Sequence, residues 1–263
     1  MQNNAMTEEK IRAHLPPSLS SSVDISVYEV TDSTNLRARE LARRGVTRQA
    51  VILADGQTNG RGRLGRSFHS APRVGIYMSF ILSGDALGED FSKITRYAAV
   101  KVARAIDALA QMRCEIKWVN DIYSSGKKLA GILVEGVFNG EGRLEYAVLG
   151  IGVNVFHTEY PEPLCEIAAS IEDVAGKKID RDRLSARIIE EILGGLNSVS
   201  APDIIAEYKS RSMLIGSRVS VIRQAESYPA RVLDISDDGT LILLRDTGER
   251  EELYTGEVSV KPL

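Results

Sequence analysis

Two short apolar runs constrain most strongly what this chain can fold into. Residues 50–54 and 76–82 contain no charged side chain, and each run is too short for a buried helix. Such runs are typical of strands that are buried on both faces of a sheet. A stretch rich in glycine and arginine separates them, so we predict two core strands joined by a segment with a functional role.

The surrounding chain alternates between strand and helix patterns. Alternating or continuous apolar residues predict further strands over 25–30, 116–119, 132–138 and 146–155. Apolar residues three and four positions apart predict helices over 36–45, 91–112, 182–198 and 203–211. This alternation predicts an α/β (α+β) domain.

The two ends of the chain depart from this pattern. Residues 1–22 are polar, contain two adjacent prolines and end in a run of serines, a composition that resists packing. We therefore expect a lead-in segment with a helical turn or more over 8–15. From Met213 onward, short period-two strands separated by Asp-Gly and Thr-Gly turns are typical of a small barrel or sandwich. The predicted units are a lead-in over 1–22, an α/β domain over 23–212 and a β domain over 213–263.

The cysteine and histidine content excludes a disulfide scaffold and argues against a zinc site. Cys114 and Cys165 are the only cysteines, no CxxC spacing occurs, and three histidines accompany them. Any metal is therefore expected to be held by oxygen atoms and to bind transiently.

Charge and hydropathy narrow the class of protein further. No segment approaches the roughly 20 apolar residues of a membrane helix, and the N-terminus lacks the order of a secretory signal. We therefore expect a cytoplasmic protein that does not enter a membrane. The net charge of −3 gives the whole molecule no electrostatic reason to bind nucleic acid or anionic lipid.

The segment between the two apolar runs contains GRGRLGR at 60–66. Its three glycines allow the backbone to approach a ligand closely, and Arg61, Arg63 and Arg66 present guanidinium groups suited to carboxylate and phosphate oxygens. The segment is neither a Walker loop nor a dinucleotide-binding GxGxxG turn. An anionic ligand is expected, although these residues alone also fit a solvated basic loop or an RNA-binding segment.

The motif KWVND at 117–121 follows a predicted strand. Asn120 and Asp121 would lie at a strand end, where they could orient a phosphate-bound magnesium ion or the reacting groups. An ordinary Asn-Asp turn beside a core Trp118 is the structural alternative.

The motif KKLAGILVE at 127–135 places a lysine before a buried strand. Ala130 and Gly131 leave room for a flat apolar group against the backbone, and Lys128 would supply a point charge beside it. A surface lysine fits the same pattern.

Two other segments combine small and polar residues. Ser33, Thr34 and Asn35 lie at a strand-to-helix turn, where they would cap the helix or bind a small polar group such as a urea. In GIGVN, the residues Gly150 and Gly152 indicate close approach of another backbone or a ligand to a buried strand.

In combination and order, these motifs resemble those of the biotin protein ligases from about Val23 onward. The matching segments are DSTN, QTN with GRGRLGR, KWVND, KKLAGILVE and GIGVN, followed by a β-rich tail with GEVSV. The resemblance implies a catalytic α/β domain with a mixed sheet, related to class II aminoacyl-tRNA synthetases, and a small SH3-like β-barrel at the C-terminus. It also implies that biotin and MgATP form biotinyl-5'-AMP, and that biotin then passes to a lysine of a biotin carboxyl carrier protein domain.

The resemblance further implies roles for individual residues. Biotin binding falls to Ser33, Thr34, Asn35, Gln57, Gly60, Arg61, Gly62, Arg63, Lys128 and Gly131. ATP and adenylate binding falls to Arg63, Arg66, Phe68, Lys117, Asn120, Asp121, Lys128 and Asn154. Arg63, Lys128 and Asp121 are the implied catalytic residues, and Mg²⁺ is expected to arrive with ATP rather than in a site made by protein alone.

Two positions depart from the family pattern. Phe68 replaces a usual tryptophan, so stacking on adenine should persist with less area, and Val119 replaces a usual proline. Because neither change removes a charged group, activity is expected, and any loss is expected in nucleotide affinity. Only about 22 residues precede the catalytic pattern, so we expect no DNA-binding domain in this chain. Homodimerisation through a sheet edge is expected from related enzymes.

The residues alone also leave two alternative functions open. A lipoate ligase or octanoyl transferase would share the fold, but the polar groups around Ser33 and Gln57 suit a urea better than a dithiolane or alkyl chain. A nucleic-acid-binding module would use the arginine loop for phosphates, and its affinity would fall steeply with salt.

Overall fold

The computed structural model describes residues 5–45, 49–87, 92–223, 226–254 and 257–259. The expected helix start at 91 and parts of the lead-in and of GEVSV lie outside these residues.

The larger sheet contains seven strands of the described chain, in the order β1-β2-β3-β7-β6-β5-β4. Only β1 and β2 are parallel, and the other neighbours pair antiparallel, so the sheet is mixed. The strands are β1 (Asp24–Tyr28), β2 (Ala50–Ala54), β3 (Gly75–Ser83), β4 (Glu115–Lys117), β5 (Asp121–Ser124), β6 (Lys127–Phe138) and β7 (Leu144–Asn154).

The two apolar runs form β2 and β3, as predicted. Every residue of β2 is buried, and β3 is buried up to Leu82. The strand predicted over 132–138 is wrong at its start, because β6 begins at Lys127. Polar Lys127 and Lys128 conceal this from an apolar pattern, but they pair with Ser124 and Tyr123 of β5.

Helices cover the two faces of this sheet. They are α1 (Glu8–Ala13), α2 (Pro17–Ser22), α3 (Thr34–Arg43), α4 (Gly84–Leu87), α5 (Ser92–Ala110), α6 (Leu164–Ile167), α7 (Ile171–Ala175), α8 (Arg181–Gly194) and α9 (Pro202–Ser210). Helix α3 packs on one face, where Ala38 joins Ile52, Ile81 and Val148 in a small cluster. Helices α5 and α8 pack together on the main core. Within the described ranges, every helix is too short or too polar to cross a lipid bilayer.

The expectation that the lead-in segment resists packing is wrong for residues 5–22, the part of it that the structure describes. Met6, Ile11 and Leu15 are buried, because their spacing turns them towards the core beside α8. The backbone N–H of Met6 also lies 3.3 Å from both carboxylate oxygens of Asp55, at the end of β2. The prolines and serines therefore form α2 and its entry, not an unpacked leader.

A buried ion pair holds the same region together. Arg181 Nη2 lies 2.6 Å from Asp55 Oδ1, and each side chain is only 2% exposed. Arg181 Nη1 also donates a 2.8 Å hydrogen bond to the carbonyl oxygen of Gly75. Because a buried charge without partners is costly, these bonds fix α8 against the ends of β2 and β3.

The C-terminal strands form a separate antiparallel sheet, in the order β11-β10-β9-β8-β12. They are β8 (Arg218–Arg223), β9 (Glu226–Ile235), β10 (Leu241–Arg245), β11 (Arg250–Leu253) and β12 (Glu257–Ser259). The predicted period-two strands are thereby confirmed. This sheet contacts the larger one, because Trp118 Nε1 donates a 2.9 Å hydrogen bond to the carbonyl oxygen of Gly239 in the β9–β10 turn.

Candidate active site

A floor of glycines lies on the face of the larger sheet that carries α3. Pairing places Gly131 of β6 opposite Gly152 of β7, and places Gly150 opposite Ser79 of β3. A Cβ atom at Gly152 would lie 2.5 Å from the Phe68 ring, and one at Gly131 would lie 3.2 Å from it. The missing side chains therefore leave a flat surface on which an aromatic or other planar group can rest.

A cavity of about 290 Å³ opens above this floor. Its volume is near the lower end of the range of small-molecule sites. Of the residues expected from the sequence, its lining includes Ser33, Thr34, Asn35, Gln57, Arg61, Gly62, Arg63, Arg66, Phe68, Lys117, Asn120, Asp121, Lys128 and Gly131. The distant motifs therefore meet in one place.

A continuous hydrogen-bond network lines one end of the cavity. Gln57 Oε1 accepts a 2.8 Å bond from the Thr34 backbone N–H, and its amide nitrogen donates to the Ser70 hydroxyl at 2.9 Å. The Ser79 hydroxyl lies 2.8 Å from the Thr34 hydroxyl and 2.6 Å from Asn35 Oδ1. These bonds orient the first turn of α3, which presents hydroxyl and amide groups to a polar ligand.

The space for Asn35 comes from Gly150. A Cβ atom at Gly150 would lie 2.2 Å from Asn35 Oδ1, so a larger residue would push this amide aside. Asn35 is only 4% exposed and packs at the N-terminus of α3. The glycine therefore has a positioning role.

Cationic side chains occupy another wall. Lys128 Nζ lies 2.7 Å from Asp121 Oδ2, and Arg63 Nη1 donates a 3.1 Å bond to Asn120 Oδ1. Arg61, Arg66 and Lys117 add further positive charge to the lining. This wall is suited to bind carboxylate and phosphate oxygens.

Asp121 contributes one buried oxygen without a hydrogen-bond partner among the described residues, its Oδ1 atom. Buried polar atoms usually have a partner, so this one indicates a ligand or water contact. Beside it, burial and the Asp121 charge raise the pKa of Tyr123 to about 12, and its hydroxyl therefore stays protonated near neutral pH.

The arginine loop turns sharply between its ends. Leu64 has φ +54°, and the loop closes through a 2.7 Å bond from the Gly62 N–H to the carbonyl oxygen of Arg66. A Cβ atom at Gly60 would lie 2.4 Å from the carbonyl oxygen of Phe68. Gly60 is thus needed for loop closure, but it is not part of the cavity lining.

Asn154 also lies outside that lining. Its side-chain amide donates weak bonds to the backbone carbonyls of Lys128 and Ala169, at 3.4 and 3.3 Å. It therefore joins β7 to the segment before α7, and its role towards a nucleotide stays a prediction.

Several residues of the site were not predicted from the sequence. Ser70 and Ser79 complete the polar network, and Leu133 and Tyr123 line the cavity. Ser79 was visible as the one polar residue within an apolar run. Glu135 ends the KKLAGILVE motif and lies 3.2 Å from Arg61, but no role was assigned to it.

Trp118 is 6% exposed, as its predicted core position requires, and it also lines the cavity. The peptide bond between Trp118 and Val119 is cis. Val258 of β12 reaches the same cavity. The C-terminal sheet therefore contributes directly to its wall.

Among the described residues, no group of three or more His, Cys, Asp or Glu side chains could hold a metal ion.

Sequence comparison relates the chain to known enzymes in both of its parts. The family model of the biotin/lipoate A/B protein ligase family matches residues 27–154, and that of the biotin protein ligase C terminal domain matches residues 214–261. The bifunctional ligase/repressor BirA of Bacillus subtilis is 32% identical over 238 residues, covering 89% of this chain and 73% of the relative. The biotin--[acetyl-CoA-carboxylase] ligase of Mycobacterium tuberculosis is 31% identical over 253 residues, covering 93% and 91%.

Comparison with solved structures relates the chain to the same family of enzymes. The biotin protein ligase from Aquifex aeolicus in complex with biotin and ATP has a TM-score of 0.78 and 26% identity, covering 90% of this chain and 97% of that one. The biotin protein ligase from Leishmania major in complex with biotinyl-5-AMP has a TM-score of 0.62 at 21% identity, covering 91% and 100%. At that identity the second similarity concerns the fold alone.

Proposed function

The chain belongs to the biotin protein ligases, and we propose that it forms biotinyl-5'-AMP from biotin and MgATP and then transfers biotin to a lysine of a carrier protein. The observation that carries this proposal is one cavity with a polar network at one end and, among the described residues, five basic side chains along another wall. A ligand with a urea at one end and a carboxylate at the other would satisfy both.

The polar network supports recognition of biotin's ureido ring. Hydroxyl and amide groups of Ser33, Thr34, Asn35 and Gln57 line that end of the cavity. A site with fixed polar groups discriminates against a ligand that cannot pair with them. Biotin is therefore favoured over lipoate or octanoate.

Adenylation brings two negative groups together, and the basic wall would offset their repulsion. The biotin carboxylate attacks the α-phosphorus of ATP, an acyl–phosphate bond forms, and pyrophosphate leaves. We assign Arg63 and Lys128 to the reacting oxygens and Arg61 and Arg66 to the carboxylate and phosphates. Each charge-assisted hydrogen bond is worth about 1.5–3 kcal/mol.

Transfer requires removal of a proton from the incoming lysine. The amine attacks the acyl carbon of the adenylate, AMP leaves, and an amide bond forms. Asp121 has an oxygen without a partner among the described residues, so we assign it to accept this proton or to orient the amine. The same oxygen would suit Mg²⁺ arriving with ATP, because carboxylate oxygens are its preferred ligands.

The acceptor is proposed to be the carrier domain of a biotin-dependent carboxylase, docked at the open edge of β6. Strand β5 pairs only with residues up to Gly131, so the edge from Leu133 to Phe138 has no neighbouring strand in the described chain. Such edges accept an added strand. A homodimer through the same edge is part of this proposal, and sedimentation velocity with and without biotin tests it.

At the level of fold, we propose kinship of the larger domain with class II aminoacyl-tRNA synthetases and an SH3-like identity for the C-terminal sheet. The boundaries at residues 22 and 212 belong to the same proposal. The mixed seven-stranded sheet and the five-stranded antiparallel sheet support it.

The decisive experiment is exchange of labelled pyrophosphate into ATP by the purified chain, dependent on biotin, lipoate or octanoate. Exchange with biotin alone is expected. Exchange only with lipoate or octanoate would overturn the substrate, and exchange with none would overturn the adenylation step.

A matched pair of neighbouring lysines tests the cationic wall. Lys128→Met should lower the exchange rate at least about 100-fold, as expected for loss of a fixed group at the developing charge. Lys127→Met should leave it nearly unchanged, because Lys127 Nζ instead donates to the carbonyl oxygens of Cys165 and Glu166.

A further inference from the structure

Glu135 lies at the point where three segments of the site meet. It follows Gly131 and Leu133 along one face of β6, and its side chain is 18% exposed. The first turns of α3 lie on one side of it and the arginine loop on another. The proposed reaction gives this carboxylate no role, although it adds negative charge beside a site for anions.

Each oxygen of Glu135 has its own partners. Oε2 accepts a 2.8 Å hydrogen bond from Asn35 Nδ2, and Oε1 lies 3.2 Å from Arg61 Nη1 and 3.5 Å from Arg39 Nη1. Asn35 Oδ1 is already bonded to Ser79. The bond from Asn35 Nδ2 to Glu135 and the bond between Asn35 Oδ1 and Ser79 together fix the orientation of the Asn35 amide.

We infer that Glu135 is a positioning residue that fixes Asn35 and Arg61 relative to each other, so that the first turn of α3 and the arginine loop act as one unit. This inference rests on the proposed function for the identity of the ligand. The contact itself does not depend on it.

The carboxylate form matters because it offers an acceptor on each oxygen. Glutamine replaces one of these two oxygens with an NH₂ group, so it cannot accept from Asn35 at one position and from Arg61 at the other, and its NH₂ would face another donor. Arg61 is 38% exposed, so solvent screens its ion pair with Glu135 and the pair contributes little to stability. We therefore expect Glu135→Gln to affect the arrangement of the site more than the stability of the fold.

The first test needs no ligand. Trypsin cleaves after arginine, and the loop contains Arg61, Arg63 and Arg66. Limited proteolysis of Glu135→Gln should cut this loop about five- to tenfold faster than in the wild type, whereas Glu145→Gln, an exposed site on β7, should not change the rate. Equal loop cleavage in Glu135→Gln and the wild type would overturn the inference.

The second test separates positioning from general destabilisation. In biotin-dependent pyrophosphate exchange, Glu135→Gln should raise the KM for biotin about tenfold and leave kcat within twofold. General destabilisation would instead lower the apparent kcat without changing KM, because the molecules that remain folded would still bind biotin normally. In an Arg61→Met background the same change should raise KM by threefold or less, since the shared contact is already lost. A fall in kcat alone, or equal KM effects in both backgrounds, would overturn the inference.

The two arms also distinguish this inference from the proposed function. Wild-type protein without any biotin-dependent exchange would refute the function, whereas the proteolysis arm would still decide whether Glu135 holds the loop.

Discussion

Trp118 and Gly239 are 121 residues apart, yet the indole N–H of one donates a 2.9 Å hydrogen bond to the carbonyl oxygen of the other. Trp118 follows β4 in the larger sheet, and Gly239 lies in the β9–β10 turn of the C-terminal sheet. Because Trp118 also lines the cavity, this bond links the C-terminal sheet to a wall of the active site.

Trp118→Phe keeps an aromatic ring but removes the donor. The Gly239 carbonyl then loses its buried partner, and the free energy of unfolding should fall by about 1–3 kcal/mol. Urea denaturation followed by circular dichroism measures this, because the variant has no tryptophan. Tyr254→Phe, at an exposed hydroxyl, is the control and should change stability by less than about 0.5 kcal/mol. Equal effects would contradict the role of the indole bond.

Gly150→Ala should disturb the site through the amide of Asn35. The added Cβ would lie 2.2 Å from Asn35 Oδ1, so the side chain must move. We expect a loss of about 1–3 kcal/mol of stability from overpacking and at least tenfold weaker biotin binding, measured by calorimetry. Gly140→Ala is the matched control, because its Cβ would meet nothing within 4 Å. Unchanged biotin affinity in Gly150→Ala would refute this account.

Arg181→Met should be strongly destabilising. It leaves the Asp55 carboxylate, 2% exposed, without its cation, and the expected loss is about 3–5 kcal/mol in the free energy of unfolding. Arg187→Met on the same helix removes ion pairs with Glu190 and Glu191, but Arg187 is 39% exposed and Glu191 keeps Lys101 as a partner. This change should cost no more than about 1 kcal/mol. Thermal and urea unfolding of both variants checks the difference, and similar losses would show that burial of the Arg181 pair is not decisive.

Stability should depend on Asp32 in acid. A hydrogen bond from Arg37 lowers the pKa of Asp32 to about 2 despite some desolvation, and the Ser33 N–H adds a bond. In the unfolded chain the pKa is about 3.9. Folding therefore favours the carboxylate, and its contribution is full above the unfolded value and lost as pH falls through about 2.

Unfolding free energies of wild type and Asp32→Asn, measured from pH 7 to pH 2, test this. Their difference should be constant above about pH 5 and shrink towards pH 2. In an Arg37→Met background the pH-dependent part should largely disappear. The same pH dependence in both backgrounds would show that Arg37 is not its source.

Local patterns were sufficient to predict strands that are buried on both faces and a helix that packs along one apolar stripe. The two buried strands and the helix at Ser92–Ala110 follow from burial on both faces and from one apolar stripe. The packing of residues 5–22 was missed, because a few apolar side chains among serines and prolines bury only against a distant helix. The composition of residues 5–22 alone does not show that α8 lies beside them.

The site was predicted to the extent that motif order reveals it. Gln57 and Lys128 line one cavity, and their roles towards biotin and ATP stay predictions. Ser79 and Glu135 were missed because their importance depends on register: Ser79 lies opposite Gly150, and Glu135 meets Asn35 from 100 residues away. Strand order, with β7 between β3 and β6, is set by long-range pairing that periodicity does not contain.

The glycine floor makes the shape of the cavity depend on atoms that are absent. At Gly131, Gly150 and Gly152, every substitution can only subtract volume, so mutation at these three positions can narrow the range of ligands but cannot widen it. A roomier enzyme, for longer or bulkier acyl groups, would have to be sought by trimming the side chains that border the floor, such as Leu133 and Phe68.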